Sequence, residues 1–447
     1  MTERSRIEFR RILGDGAEAL ARALASAHPA DVAEATEGLR DEDVLRVLAA
    51  LGDRAGVVFE HLPPERQRSV LERLRPDLAA GVLEEMSSDD MADVLRELPL
   101  ARAAELLRDM DAAEQARVAP LLAWPEGTAG ALMASEVVTL REDMTVARAL
   151  ERLRASAPDA ETIYYVYTVD ADRRLRGVVS LRDLILADPD VPLSAIARRD
   201  VIAVRADDDQ ETVARTFEKY ALLALPVVDR QGRVVGVVTV DDVMDVVSEE
   251  ASEDAYRLAG LVEEVEAVDS PAIRASKRLP WLLVLLGLEA VGARIIGGFE
   301  HALQAVIALA YFIPMLNDQA GNMGVQSAAM AVRAIATGEV DRRSYRQFVL
   351  REWVVGVTAG LASGAVGLAI GLVWQGDLRL GLTLGTTLLV SMSAASVLGS
   401  LAPLVLTVLR KDPAVAAGPF ITSTMDVINV LVYFSVAVWF FRPLLGG

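Results

Sequence analysis

A single carboxylate, Asp426, stands inside an apolar run long enough to cross a bilayer. VINVLVYFSVAVWFF follows it, and Lys411-Asp412-Pro413, Gly418-Pro419 and the hydroxyls Thr422, Ser423 and Thr424 precede it. An ionisable group at that depth is costly unless it faces water, a cation or a partner, so the placement suggests an ion pathway. A helix cap or a helix interface is the plainer alternative. Two further acidic groups lie outside the apolar runs. Asp89 and Asp93, four apart in SSDDMAD, share a helix face and would repel; a Ser cap with acids at the helix's positive end accounts for them as well. Asp242, Asp245, Glu249, Glu250, Glu253 and Asp254 crowd one later stretch. Bound divalent cations would relieve that repulsion, and a solvated acidic face is the ordinary reading.

The elements that must position these groups fall into two unlike halves. The chain has 447 residues, 52% hydrophobic, 5% aromatic and 24% charged, with mean hydropathy +0.31, too apolar for an ordinary soluble protein of that charge. Residues 1–270 hold 32 Lys and Arg against 55 Asp and Glu, and residues 271–447 hold 13 against 9, which recovers the net −19. An acidic soluble half does not suit nucleic acid, whose phosphates need a basic face, and it suits cations. With no cysteine and three histidines, thiolate and zinc or copper sites fall away. Oxygen ligands for hard ions such as magnesium, calcium or manganese remain. The opening MTERSRIEFRRIL has no apolar core and does not read as a signal peptide.

From about residue 17 to 123, short amphipathic units such as DVLRVLAALG, RQRSVLERL and RAAELLRDM recur about every dozen residues, separated by Pro, Asp and Ser. That spacing predicts an all-α superhelical array. Strands then alternate with helices. TIYYVYTVDADRRLRGVVSLRDLI and LALPVVDRQGRVVGVVTVDDVM repeat one pattern, with Gly177/Gly236, Ser180/Thr239 and Asp183/Asp242 each 59 residues apart. The recurrence resembles a tandem pair of CBS domains, an α/β unit. The resemblance implies an adenine nucleotide, ATP being the one considered, met at its ribose by Asp183 or Asp242; no Gly-rich phosphate loop accompanies it.

Five spans are read in the membrane half, about 279–299, 303–335, 349–374, 380–409 and 413–441, each above the roughly 20 residues needed to cross. Arg274, Lys277, Arg278, Arg333, Arg342, Arg343, Arg346, Arg351, Arg410 and Lys411 fall on one side, which places the soluble half in the cytoplasm and the C-terminus outside. In the second span, Pro314, Gly321 and Gly324 are expected to interrupt the helix, with Asn322, Gln326 and Ser327 bringing polar groups to membrane depth along a pore or a tight crossing. Glu289 and Arg294 of the first span are expected to pair.

The order of parts, with WPEGTAGALM (124–133), AGNMGVQS (320–327) and DPAVAAGPFITSTMD (412–426), resembles the MgtE family of magnesium channels or transporters along the whole chain. The resemblance implies an N-terminal domain at 1–130, CBS domains at about 134–195 and 196–250 within 131–250, a plug helix at 251–273 and a transmembrane domain at 274–447. It implies a homodimer in the bilayer of the bacterial inner membrane, with Asp426 of each subunit facing a largely hydrated Mg²⁺. It further implies closure by cytosolic Mg²⁺ at Asp89, Asp93, Asp242, Asp245, Glu250, Glu253 and Asp254, with Glu211 a weaker candidate, and ion attraction at the inner mouth by Glu352 and Asp412. The candidate pore lining is Asn322, Gln326, Glu352, Gly418, Pro419 and Thr422. Ala320 stands where the family commonly has a glycine and Gly418 where it can have a polar residue.

A passive Mg²⁺-gated Mg²⁺ channel is therefore the leading expectation. The membrane potential drives a divalent ion inward by roughly 4.6 kcal/mol per 100 mV, and no Walker or aspartyl-phosphate motif is present. A transporter of another divalent ion such as cobalt or manganese, and a nucleotide sensor with a membrane anchor, are the alternatives. No nucleophile paired with a base suggests an enzyme.

Overall fold

The computed structural model describes residues 17–24, 27–36, 38–156, 160–261, 270–341, 343–413 and 418–444, and divides into two compact units, Met1–Ser248 and Glu249–Gly447. The plug helix expected at 251–273 falls in part in 262–269, outside the described residues.

The first unit begins with the expected array of short helices, Ala17–Leu24 through Ala112–Leu122, none longer than 11 residues among those described. Proline sets their starts: Pro64 and Pro76 occupy first-turn positions, where the missing N–H costs nothing. Each helix is too short to stand alone, and burial of Val44, Val58, Phe59, Leu71, Leu83, Met91 and Leu106 in one core holds them together. The Ser88–Glu97 helix buries Met91, Ala92, Val94 and Leu95, and also Ser88 and Asp89, so its acidic first turn points inward.

The repeated unit that follows folds twice in the same way. Thr139–Arg141 pairs parallel with Tyr165–Val169, which pairs antiparallel with Leu175–Ser180; Val204–Arg205, Ala224–Val228 and Val234–Thr239 repeat that order. Even the register shift recurs, at Thr168/Val169 and Val227/Val228. Each third strand ends on a hydroxyl residue, Ser180 or Thr239, and runs directly into a helix whose first turn carries Asp183 or Asp242.

The second unit holds five long helices among the described residues: Pro271–Gly298, Ala308–Ala336, Tyr345–Gln375, Leu378–Val408 and Pro419–Phe441. Four are long and apolar enough to cross a membrane; Ala308–Ala336 is 29 residues long and carries Asn317, Asp318, Gln319, Asn322 and Gln326 through its middle. Apolar side chains such as Leu282, Leu283, Leu286, Val354, Val366 and Trp439 are exposed, the outside of a bundle whose solvent is lipid. Small residues let the Tyr345–Gln375 and Leu378–Val408 backbones touch, Gly364 lying against the carbonyl of Gly385.

Two sequence expectations are corrected here. The Ala308–Ala336 helix is not interrupted at Pro314, Gly321 or Gly324. Pro314 lies in its second turn and gives up the one ladder hydrogen bond to the Ala310 carbonyl without ending the helix, and the glycines serve close packing: a Cβ on Gly321 would stand 3.0 Å from Thr422 Cγ2, and one on Gly324 2.7 Å from Ile421 Cγ2. The first long helix also starts earlier than read, at Pro271, and takes the basic residues 274–278 into its first turns.

Candidate functional site

Asp89 and Asp242, singled out from sequence, belong to a larger group of wholly or partly buried carboxylates. Asp89 is only 5% exposed, and the charges of Asp242, Asp90 and Glu161 all bear on it. Burial first and this repulsion second hold its carboxyl well above the usual range. The same order of causes pushes Glu161 up to about 7, with Asp242 and Glu136 as its acidic neighbours. Glu60 also reaches about 7, raised by burial and, to a smaller extent, by the nearby charge of Asp90, and held back by a hydrogen bond from the Ser87 amide. Asp242 rises to about 6 although the Thr239 hydroxyl, at 2.6 Å, and the Thr239 amide, at 3.1 Å, both donate to its Oδ2.

Hydroxyls tie the group together. Ser88 Oγ donates to Glu136 Oε2 at 2.6 Å and accepts from the Ser135 amide at 2.9 Å, while Ser87 Oγ donates to Asp90 Oδ2 at 3.0 Å. The Ser87 hydroxyl thus serves a side chain and does not cap its own helix. The oxygen-only donor set fits a hard divalent cation. Among the described residues no three carboxylates or histidines converge as a ready-made metal cage.

Of the residues named from sequence, Asp89 and Asp242 are brought together, and Asp245 acts on Asp90 from one turn further along. Asp93 shares the helix of Asp89, but its side chain is 59% exposed and pairs with Arg96, so the expected Asp89–Asp93 repulsion is offset at the edge of the group. Glu211 pairs with Arg215 on its own helix, 3.6 Å away. Glu60, Glu136 and Glu161 were not singled out from sequence; each is a lone acid in its own segment, and only the fold collects them.

Asp183, the repeat partner of Asp242, lies elsewhere. It accepts from Ser180 Oγ at 2.7 Å and lines a cavity of about 530 Å³ with Tyr165, Tyr167, Arg182 and Arg198. Tyr167 is almost fully buried there, and its hydroxyl has no partner.

In the second unit Asp426 sits two turns into Pro419–Phe441, half-buried. Glu289 of the first long helix comes within hydrogen-bonding reach of its carboxyl, and the charge of Asp318 also bears on it. The expected Glu289–Arg294 pair is therefore not formed; five residues apart on a helix, the two side chains diverge by about 140°. Asn322 Nδ2 donates to Asp318 Oδ2 at 3.1 Å, and Asp318, Asn322 and Gln326 form an exposed polar strip. Asn429 Nδ2 donates to Asn317 Oδ1 at 2.5 Å.

At the base of that helix Gly418 is buried, with φ at +64°, and a Cβ there would collide with the carbonyl of Leu258. Gly260 lies against Trp281 and Pro419, and Arg257 pairs with both Glu253 and Asp412. The end of the Val240–Leu258 helix thus covers Gly418 and Pro419, and Asp412, read as an ion-attracting group, is engaged by Arg257. Thr422 Oγ1 donates to the Gly418 carbonyl at 3.3 Å, and Glu352 is half-exposed in Tyr345–Gln375.

Comparisons with known proteins cover both units. Residues 313–436 match the MgtE family model, described as a divalent cation transporter, residues 27–127 the MgtE intracellular N domain, and residues 129–190 and 193–249 the CBS domain. The magnesium transporter MgtE of Enterococcus faecalis is 42% identical over 330 residues, 74% of this chain and 72% of that protein. That of Thermus thermophilus is 43% identical over 327 residues, 72% of each. Among solved structures, the cytosolic domain of the Mg²⁺ channel MgtE in complex with ATP is 43% identical with a TM-score of 0.52, covering 54% of this chain and 99% of that one. The soluble part of a magnesium transporter is 34% identical with a TM-score of 0.53, covering 56% and 99%. The chain is thus a multi-pass membrane protein and belongs to the MgtE family of divalent cation transporters.

Proposed function

We propose that this chain is one subunit of a homodimeric Mg²⁺ channel of the bacterial inner membrane, and that cytosolic Mg²⁺ at the acidic cluster holds it closed. The observation that carries the reading is Asp426: a carboxylate within a spanning helix, beside the exposed strip Asp318, Asn322 and Gln326 on its neighbour. Charged and amide side chains at membrane depth are too costly to face lipid, so the strip faces water or a second copy, and a two-fold pairing satisfies both. The relatives' magnesium transport supports the choice of ion. Passive flow needs no catalytic machinery, so the chain is read as a channel and not an enzyme.

The division into 1–130, 131–250, 251–273 and 274–447, with all five long helices spanning, belongs to this proposal. So do a cytoplasmic N-terminus and an external C-terminus. The Asp89–Asp242 group fits regulatory Mg²⁺, which keeps waters and needs only some protein oxygens. Asp245, Glu250, Glu253 and Asp254 continue the run of acids along the connector sequence, Asp93 shares the helix of Asp89, and Glu211 is the weaker candidate. Neutralising the cluster by bound ions favours the joined, closed arrangement; without them repulsion favours release. The cavity at Asp183 supports ATP as a second ligand, its base against Tyr165 and Tyr167 and its phosphates near Arg182 and Arg198.

The test is growth and Mg²⁺ uptake in a Mg²⁺-auxotrophic strain expressing this chain or its Asp426→Ala variant at equal membrane levels. Rescue by the wild type alone supports conduction past Asp426; rescue by both removes Asp426 from the path. Competition by cobalt or manganese decides the transported ion.

A further inference from the structure

Glu289 is the one acidic side chain of the first long helix, Pro271–Gly298. Gly292, one turn further on, is the buried residue of that helix, and a Cβ on it would stand 3.8 Å from Val427 Cγ2, next to Asp426. This contact sets the register that brings the Glu289 carboxyl to Asp426. On the other side Gly321 meets Thr422, so that Asp318, one turn before Gly321, comes level with Asp426, one turn after Thr422. Three helices thus present a carboxylate at one height. An independent feature adjoins them: Asn429, one turn beyond Asp426, is 1% exposed and has a side-chain oxygen with no hydrogen-bond partner, while its amide donates to Asn317, the neighbour of Asp318.

We propose that Glu289 is a permeation residue that sets the preference for divalent over monovalent cations, acting beside Asp426 with Asp318 as a further negative charge. The assignment rests on the conduction reading above. An added negative charge beside the path attracts an ion in proportion to the ion's charge, so a divalent cation gains twice what a monovalent one does. A residue that only braced the helices would change the amount of current and not which ion carries it.

The chain has no native cysteine, which makes a single introduced thiol a clean reporter. The full chain is reconstituted in planar bilayers and reversal potentials are measured with Mg²⁺ opposed to Na⁺. Glu289→Gln is expected to lower the Mg²⁺/Na⁺ permeability ratio by about tenfold, the size of one charge–ion coupling at an exposed site beside the path, with Glu289→Asp close to wild type. Glu289→Cys is expected to lose the preference likewise, to regain it on reaction with a negatively charged methanethiosulfonate, and to lose current with a positively charged one. An unchanged reversal potential in Glu289→Gln, an equal shift from Arg294→Gln on the same helix, or no response of Glu289→Cys to either reagent overturns the assignment. Loss of divalent current in Asp426→Asn with Glu289→Gln unaltered rejects Glu289 alone. Divalent current unaffected in Asp426→Asn rejects the conduction reading itself.

Discussion

Asp183 and Asp242 occupy the same position in the two CBS repeats, each receiving a hydroxyl hydrogen bond from the residue three before it, yet they face opposite surroundings. Asp183 opens onto a cavity walled by tyrosines and arginines, while Asp242 is pressed among carboxylates from the helical array. One repeat site is left for a neutral or anionic ligand with an aromatic part. Its twin carries a concentration of negative charge that a proton or a cation would relieve.

The two sites are therefore expected to fail separately. Asp183→Asn should weaken ATP binding several-fold, as one lost ribose hydrogen bond does, and leave Mg²⁺ binding to the soluble half unchanged. Asp242→Asn should do the reverse. Isothermal titration of the full chain in detergent with each ligand measures both; weakening of the same ligand by both variants would sink the division of roles.

Closure should depend on the buried Asp89 and the half-buried Asp242 beside it. Replacing either with Asn takes away a carboxylate oxygen donor for the ion, so Mg²⁺ binds the closed state less tightly and the closed state gains less from it. The Mg²⁺ concentration that halves the channel current should rise about tenfold, corresponding to a coupling of about 1.4 kcal/mol. Patch recordings across a range of internal Mg²⁺ read that midpoint, and a midpoint unmoved in both variants would contradict the role. Asp93→Asn should move it less, because Asp93 is exposed and paired with Arg96.

Acidity should substitute in part for magnesium. Carboxyls with ordinary values of 3.8 to 4.5 rise to about 6 at Asp242 and about 7 at Glu60 and Glu161 in the folded protein. A group held high in the folded state contributes stability below its unfolded value, and that contribution is lost as pH rises through the folded value. Mg²⁺-free protein is thus expected to lose stability between about pH 4 and pH 7, the reverse of what paired carboxylates produce. Scanning fluorimetry of the full chain should give a higher Tm at pH 5.5 than at pH 8 without Mg²⁺, and a smaller difference with saturating Mg²⁺. Asp242→Asn should flatten the Mg²⁺-free slope; an unchanged slope would remove the cluster from this effect.

Much of this was legible beforehand because it is local. The alternation of strands and helices, and Gly, hydroxyl and Asp recurring at 59 residues, disclosed the paired repeat, and a carboxylate in an apolar run disclosed Asp426. What escaped is tertiary. Glu60, Glu136 and Glu161 come from separate segments with no shared pattern, and their partnership with Asp89 exists only after the array meets the repeats. Pro314 and the two glycines of the second long helix looked like breaks because sequence shows the residue type but not the backbone it must approach; Thr422 and Ile421 explain the glycines instead. Glu289 read as a partner of Arg294, the nearest opposite charge in its span, because its closeness to Asp426 is set by a helix that packs against it 137 residues later in the chain.

The last expectation concerns the connector where it meets the spanning bundle. Arg257 bridges Glu253 on its own helix and Asp412 before the final span, and the carbonyl of Leu258 lies where a Cβ of Gly418 would be. The ion pair is partly exposed, so breaking it with Arg257→Gln should cost about 1 kcal/mol of the covered arrangement, roughly a fivefold rise in open probability at high internal Mg²⁺. Gly418→Ala should do more, because alanine is strained by about 1–3 kcal/mol at a positive φ and its methyl also displaces the Leu258 carbonyl. Current that persists at internal Mg²⁺ concentrations silencing the wild type, larger for Gly418→Ala than for Arg257→Gln, is the expected record. If both variants close as the wild type does, this contact packs the connector without restraining the pore, and closure then rests on the acidic cluster alone.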